Sequence, residues 1–600
     1  MATDAPTQRV NALIYNALYR LDSRLRPVPD LAAAMPVYDA AGTTWTVPLR
    51  AGITFHDGSP FTSADVVQTY QLALSPNCPF ADICADVAGS LTAVAAVDPL
   101  TVTFTLRAPW APFLTLGLAR LPILPQAVLV ASLARWEQGA GGIDPDTVTA
   151  LTDRIASATN DEDCIAETPP PECDLSFYAA DLEDLMRRVD VAPPEEARFP
   201  GPDGTLDRSA YSAELLLLAQ QLDAALRGQQ ADRLAAAFPL LDFQQRPVGT
   251  GAYALREYRP GESVELERVS ADAGRNGVPL AARGLIIPDP AAAATALKTG
   301  DADWLAVVSP DEVPALEGDP AVRVAGRPGA GYRGIVFNAR EGRPYAAPEA
   351  RRAFAMCIAR PAAVEEATSG RATMATTPLA PGSWAAVDPS RAPKHAPAAA
   401  QRSLERAGWQ RGADGIFVRE GRRLSSEIWI RPSRGDQRAF AQAASEELRA
   451  CGIELLVREL GFSADQVLRQ IEWPNDFDTF LLAQQLGLDP HQDLSVLHSA
   501  HITSEQNPGD ANFGGWNAPR ADQLIDQAAA SLDQATRAGL YAELQELVAA
   551  EVPLYPWWYD IVYSGLSPRV ILAAGALDPS QPGFDRDPQA WRLRGPAEAP

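Results

Sequence analysis

Apolar residues recur along this chain at two spacings, every second residue and every third to fourth, and the two periods alternate from the start. Between Thr43 and Arg50, Trp45, Val47 and Leu49 share one side, and Leu100, Val102, Phe104 and Leu106 repeat that period, so two half-buried strands are predicted. Between them PFTSADVVQTYQLAL predicts a helix capped by Thr62, with Asp65 returning the bond as in a capping box. Strands and helices mix from the outset, which argues α/β or α+β. From about Ala127 to Arg246 the texture becomes acidic and rich in Ala and Leu, and helical periodicity predicts a helical insertion interrupted by the loop CIAETPPPEC, whose prolines exclude helix. After it SVELERV alternates again, and SPDEV predicts a helix start with Ser309 as cap, Pro310 at the first position and Glu312 returning the bond. Further helices are predicted over Pro348 to Ile358, Ala396 to Ala407 and Gln437 to Ala450, and from Arg520 to Leu532 running on through Gln534 to Ala550. In VPLYPWWYD, strand alternation puts Tyr555, Trp557 and Tyr559 on one face.

The 600 residues leave room for several domains, and 46% apolar with 21% charged residues is ordinary for a folded soluble chain without a run of about 18 apolar residues. A formal net charge of -25 with scattered arginines repels phosphate backbones and disfavours a nucleic-acid partner. The six cysteines form two close pairs, Cys78 with Cys84 and Cys164 with Cys173, and one distant pair, Cys357 with Cys451. No CxxC occurs, so a disulfide framework is favoured over free thiols or metal, and an oxidising, extracytoplasmic setting follows from it. The opening MATDAPTQRV has neither a basic n-region nor an apolar h-region, so either the true start lies upstream or the protein is cytosolic. No GxSxG, HExxH or Walker A motif is present, which leaves a hydrolase as a remote alternative. Gly249 and Gly251 are expected to serve backbone turns, and Arg351 and Arg352, on an amphipathic helix, to be solvated.

Several blocks in order, NALIYNALYRLD, TTWTVPLRAGITFHDGSPFTSADVV, RPVGTGAYALREYRPGESVELER, ALKTGDADWL, FNAREGRPYAAPEARRAFAMCIAR and VPLYPWWYD, resemble the extracellular solute-binding proteins, family 5, that serve peptide and nickel ABC importers. The resemblance implies an α/β, bilobal periplasmic-binding-protein-like fold of the large type II class. Its first lobe would comprise residues 1–304 and 546–600 with the helical insertion 127–246, and its second lobe 305–545, the two joined by crossover strands. It also implies a monomer without cofactor or metal that captures a small molecule or peptide outside the cytoplasm and delivers it to ABC permease and ATPase subunits. Two departures stand out. Family members carry a strand before the segment matching NALIYNALYR, which places the true start upstream. In peptide-binding members an aspartate shortly before the Asp-Pro pair holds the peptide ammonium, and alignment on Asp489-Pro490 puts Leu486 there.

The resemblance places the stripe of Tyr555 and Trp557 on a crossover strand at the ligand cleft, against the commoner reading of an aromatic stripe as core; Trp516 and Trp384, on loops rich in Gly and Pro, are expected to line the cleft too, with Tyr19 and Gln484 as further ligand-binding candidates. With Leu486 unable to pair an ammonium, stacking on these aromatics is expected to outweigh charge, and Trp516→Ala to weaken binding with little effect on stability. His491, His498 and His501 share no metal-ligand spacing and are read as structural, with Asp489 and Asp493 capping turns.

Overall fold

The computed structural model describes residues 5–160, 175–192, 194–199, 201, 205–269, 278–387, 393–461, 463–572 and 591–594. The predicted alternation builds a four-stranded antiparallel sheet in which Thr44–Pro48 lies between Val37–Tyr38 and Thr101–Leu106, with Leu91–Asp98 beyond. Trp45, Val47, Val102 and Phe104 are fully buried beneath it. The helix Ser63–Leu74 starts as its capping box requires, the Asp65 carboxylate accepting the Thr62 backbone N–H at 2.8 Å. The other Asp65 oxygen accepts the Gln126 N–H at 2.9 Å, which fixes the start of the helical stretch.

That stretch contains helices Gln126–Ala140, Pro145–Asn160, Leu175–Arg188 and Arg208–Arg227. Their inward residues Leu129, Trp136, Leu151, Ile155, Leu182 and Leu215 join the same core as Trp45 and Phe104. The Cys164 and Cys173 pairing lies outside the described residues, whereas Cys78–Cys84 and Cys357–Cys451 are disulfides. Gly249 and Gly251 serve a close approach: a β-carbon at Gly251 would come within 2.3 Å of the Leu13 carbonyl oxygen, and the Gly251 N–H donates to Ile14 O at 2.8 Å.

Two long strands, Arg323–Phe337 and Leu554–Leu566, pair antiparallel and tie the molecule together. Arg323–Pro328 opposes Ile561–Leu566 beside the strand Trp304–Val308, and the ladder then shifts register before Tyr332 opposes Tyr559. Beyond the shift, Gly331–Phe337 pairs with Thr479–Gln485, which ends the sheet as its edge strand. The residues between the halves include Gly331, where a β-carbon would sit 2.7 Å from the Gln484 carbonyl oxygen. Two further cores form around the second half of the ladder, one containing Tyr555, Trp557 and Trp558 and the other Tyr332, Trp516 and Tyr559.

Four expectations are corrected. The segment after Ser309 is a turn closed by the Glu312 N–H on Ser309 O, and the helix is Val313–Glu317, where Pro314 suits the first turn because its missing N–H is not needed. The continuous helix predicted through Gln534 is two, Pro519–Ala530 and Gln534–Glu551, because the Asp533 carboxylate captures the Thr536 N–H and caps a new start. Arg351 is buried, not solvated: its Nε donates to Glu551 O and its Nη1 to the carbonyls of Tyr345 and Ala346, each at 2.8 Å, and burial lowers its pKa to about 10. Alternation in Tyr555 to Tyr559 is broken by a second register shift, Gly334 facing Pro556 and Arg333 facing Trp558, so Tyr559 turns to a different core from Tyr555 and Trp557.

Candidate functional site

A cavity of about 450 Å³ opens against the edge strand Thr479–Gln485. Its floor is the sheet face of Tyr332 and Val336 with Leu482 and Gln484 on the neighbouring strand, residues two apart that share a side. The helix Ala464–Ile471 contributes Leu468 and Ile471, and Glu472 follows it at the wall. The loop from Gly509 to Trp516 forms the opposite wall with Phe513 and Trp516, and Asp493, Val496 and Leu497 close the inner end.

The Asp489-Pro490 turn organises that inner end. Asp489 Oδ1 accepts the His491 N–H at 2.9 Å and caps the helix Pro490–Leu494. Both Asp489 oxygens are also gripped by Arg537, at 2.7 and 3.2 Å, in a pair almost wholly removed from solvent. Burial works against the Arg537 charge, but the Asp489 carboxylate outweighs it and raises the guanidinium pKa. Asp493 stands differently. It is 6% exposed, its Oδ1 accepts the Gly487 N–H at 2.7 Å, and burial, with the Asp489 charge adding to it, pushes its pKa up to about 7. Leu486 points no charge here; it packs against the core of Tyr332 and Trp516, and its N–H donates to Ala330 O.

Of the residues singled out in the sequence, the cavity brings together Gln484 and Trp516. Trp516 is only 3% exposed, and its Nε1 donates to Glu551 Oε2 at 2.8 Å. The expectation that its truncation leaves stability untouched is therefore overturned, because the ring is part of a core as well as a wall. Trp384 lies apart, half-buried over the Arg537 guanidinium at 5.1 Å, with its backbone N–H on Arg24 O at 3.2 Å. Trp557 is fully buried against Phe440 and Trp558, and Tyr555 is buried beneath Arg360. Tyr19 is buried in the first core, its hydroxyl donating to Ala34 O at 2.9 Å. Asp493 and Tyr332 were not singled out as site residues, since a turn-capping aspartate and a strand tyrosine look ordinary until the sheet and the turn meet.

Across from this region, the segment Trp110 to Thr115 of the first core docks on the second half of the molecule. The Ala111 N–H donates to Ala529 O at 2.7 Å, Thr115 Oγ1 to Asp489 Oδ2 at 3.2 Å, and the Trp110 ring meets His491 edge-on. The other two histidines of this region face carboxylates, His501 with Asp510 at 3.1 Å and His498 with Asp526 at 3.5 Å. Among the described residues no group of three or more His, Cys, Asp or Glu is arranged to hold a metal ion.

Residues 26–152 and 208–503 match the model of the bacterial extracellular solute-binding proteins, family 5 Middle. The chain belongs to this family. The break in the match, at 153–207, falls in the helical stretch that packs on the first core. The chain is 24% identical over 558 residues to Protein XP55 of Streptomyces lividans, covering 90% of this chain and 78% of that protein. It is 26% identical over 378 residues to the probable ABC transporter periplasmic-binding protein SapA of Escherichia coli, covering 60% of this chain and 62% of SapA. The structure of the oligopeptide-binding protein AppA from Bacillus subtilis in complex with a nonapeptide superposes with a TM-score of 0.55 at 19% identity, over 99% of this chain and 95% of that one. The architecture is thus the bilobal α/β fold of the periplasmic binding proteins, and the family consists of binding proteins.

Proposed function

We propose that this solute-binding protein captures a peptide or peptide-like solute in the cavity beside the edge strand Thr479–Gln485 and delivers it, unchanged, to the permease and ATPase subunits of an ABC importer. The observation that carries the reading is the conjunction of a cavity of about 450 Å³ with a strand that ends its sheet. An edge strand offers backbone donors and acceptors that pair with an extended peptide whatever its sequence, while the cavity takes a side chain or terminus and supplies selectivity. The family membership, the ABC-transporter relative and the peptide-bound fold relative support the same reading. Gln484 and Trp516 are the predicted residues that would touch the solute, whereas Tyr19, Tyr555 and Trp557 act by packing.

The lobes would turn about the register shift between Pro328 and Tyr332, where Gly329 and Gly331 leave the ladder free to twist. The Thr115 contact with Asp489 belongs to the closed arrangement, which the solute stabilises by binding that form more tightly. The protein would act as a monomer outside the cytoplasm, the setting that the two disulfides among the described residues fit. Thermal-shift titration against pools of short synthetic peptides, followed by chromatography of the pools, tests the proposal. A raised melting temperature with every peptide recovered intact is expected; cleavage products would replace capture with hydrolysis.

A further inference from the structure

We propose that the cavity selects a cation: the positively charged nitrogen of an amphipathic solute seats on the Oδ2 oxygen of Asp493, and its apolar body lies against Trp516, Phe513 and Leu482. The inference rests on reading this cavity as the capture site.

The argument begins with what Asp493 lacks. Its Oδ1 is held by the Gly487 N–H, but among the described residues no donor reaches Oδ2 and no basic side chain pairs with it. A carboxylate this buried with one hydrogen bond is unfavourable in its charged form, and it persists where something else supplies the missing partner. Arg537 does not, because Asp489 occupies it on the other side of the turn. The remaining groups with fields on Asp493 are Asp489 and the phenols of Tyr332, Tyr541 and Tyr559, none of them cationic.

The rest of the lining has the same sign. Glu472 and Asp510 stand at the walls, Asp510 facing His501 outside the cavity, and among the described residues no Lys, Arg or His lines the space. An anion would meet three carboxylates and no counter-charge. A cation meets one deeply placed carboxylate whose field is little screened, framed by two aromatic rings and aliphatic walls. The volume of about 450 Å³ accommodates a ring or a long alkyl group with its amine. Charge therefore regains the role that Leu486 alone would have removed, through a carboxylate seven residues further along.

A neutral solute could instead accept a hydrogen bond from protonated Asp493, and pH separates the two modes. Cation binding strengthens as pH rises and Asp493 ionises; acceptor binding weakens over the same range.

The test uses the whole protein and three probes of one shape, phenethylamine, 2-phenylethanol and 3-phenylpropionate, followed by saturation-transfer NMR and calorimetry. The amine is expected to bind about tenfold or more tighter than the other two. Its affinity should rise with pH through neutrality, and Asp493→Asn should abolish the preference while the melting curve reports an intact fold. Equal binding of the alcohol or the acid, amine binding untouched by Asp493→Asn, amine affinity that falls as pH rises, or no amine binding up to its solubility would each overturn the proposal. A neutral or anionic compound recovered unchanged from the isolated protein would overturn the cation site yet leave the capture function standing, whereas conversion of a bound compound would remove that function itself.

Discussion

Asp493→Asn is expected to stabilise the protein by an amount that grows as pH rises from about 4 to about 7 and is full above that. In the folded chain the Asp493 pKa is pushed up to about 7 from an ordinary value of 3.8. Between those two values the folded state holds a proton that the unfolded state has released, so the stability tied to this group is complete in acid and falls as pH rises, levelling off above about pH 7. Each pKa unit corresponds to about 1.4 kcal/mol, which gives an upper limit of about 4 kcal/mol and a working range of about 2–4 kcal/mol for the strain of the ionised form. Asparagine removes the charge while its oxygen can still accept the Gly487 N–H. At about pH 8 the variant should therefore melt about 3–6 °C higher than the parent, a small shift because a large domain has a steep unfolding entropy. At about pH 4, where the parent carboxyl is protonated, the two curves should nearly coincide. Scanning fluorimetry of both proteins across that pH range reads the difference, in which the titrations they share cancel. A variant that is less stable throughout, or a gap that does not change with pH, would refute the reasoning and return Asp493 to a purely structural role at the turn.

Trp516→Ala should lower folding stability by about 3–5 kcal/mol, as for other buried tryptophans, and Trp516→Phe by less; a melting temperature unchanged by the alanine would show the ring to be free of the core. Replacing Arg537 by Ala should cost about 3–5 kcal/mol because Asp489 is left buried and charged, and a denaturation midpoint within error of the parent would contradict the buried pair. Opening the Cys357–Cys451 bridge, which closes a loop with a sequence separation of 94, should destabilise by up to about 5 kcal/mol in the chain-entropy model. Peptide mapping of the unreduced protein that recovers either cysteine as a free thiol would contradict the bridge.

Much of the fold was legible because its signals are local. Trp45 and Phe104 alternate with polar neighbours, and Thr62 and Asp65 carry a cap that needs only four residues. Where a second element decides, the sequence misleads. The amphipathic pattern around Arg351 marks it as outward, yet three carbonyls from a distant helix end and a turn draw its guanidinium inside. Alternation from Tyr555 to Tyr559 fails because the neighbouring strand imposes a register shift. The cavity was half visible. Gln484 stands just before the Asp489-Pro490 pair and Trp516 on a loop beside two glycines, but Asp493 becomes distinctive only once Arg537 has claimed Asp489 and left its neighbour without a basic partner. That division of labour between two aspartates four residues apart is a tertiary fact.

The central claim is capture without conversion, and native mass spectrometry of the protein as isolated tests it most directly. The account predicts a complex whose added mass is released on denaturation, is the same after prolonged incubation, and returns when the recovered compound is added to emptied protein. A released compound that is shorter than the one supplied, or a protein that holds nothing from a broad peptide pool, would contradict it.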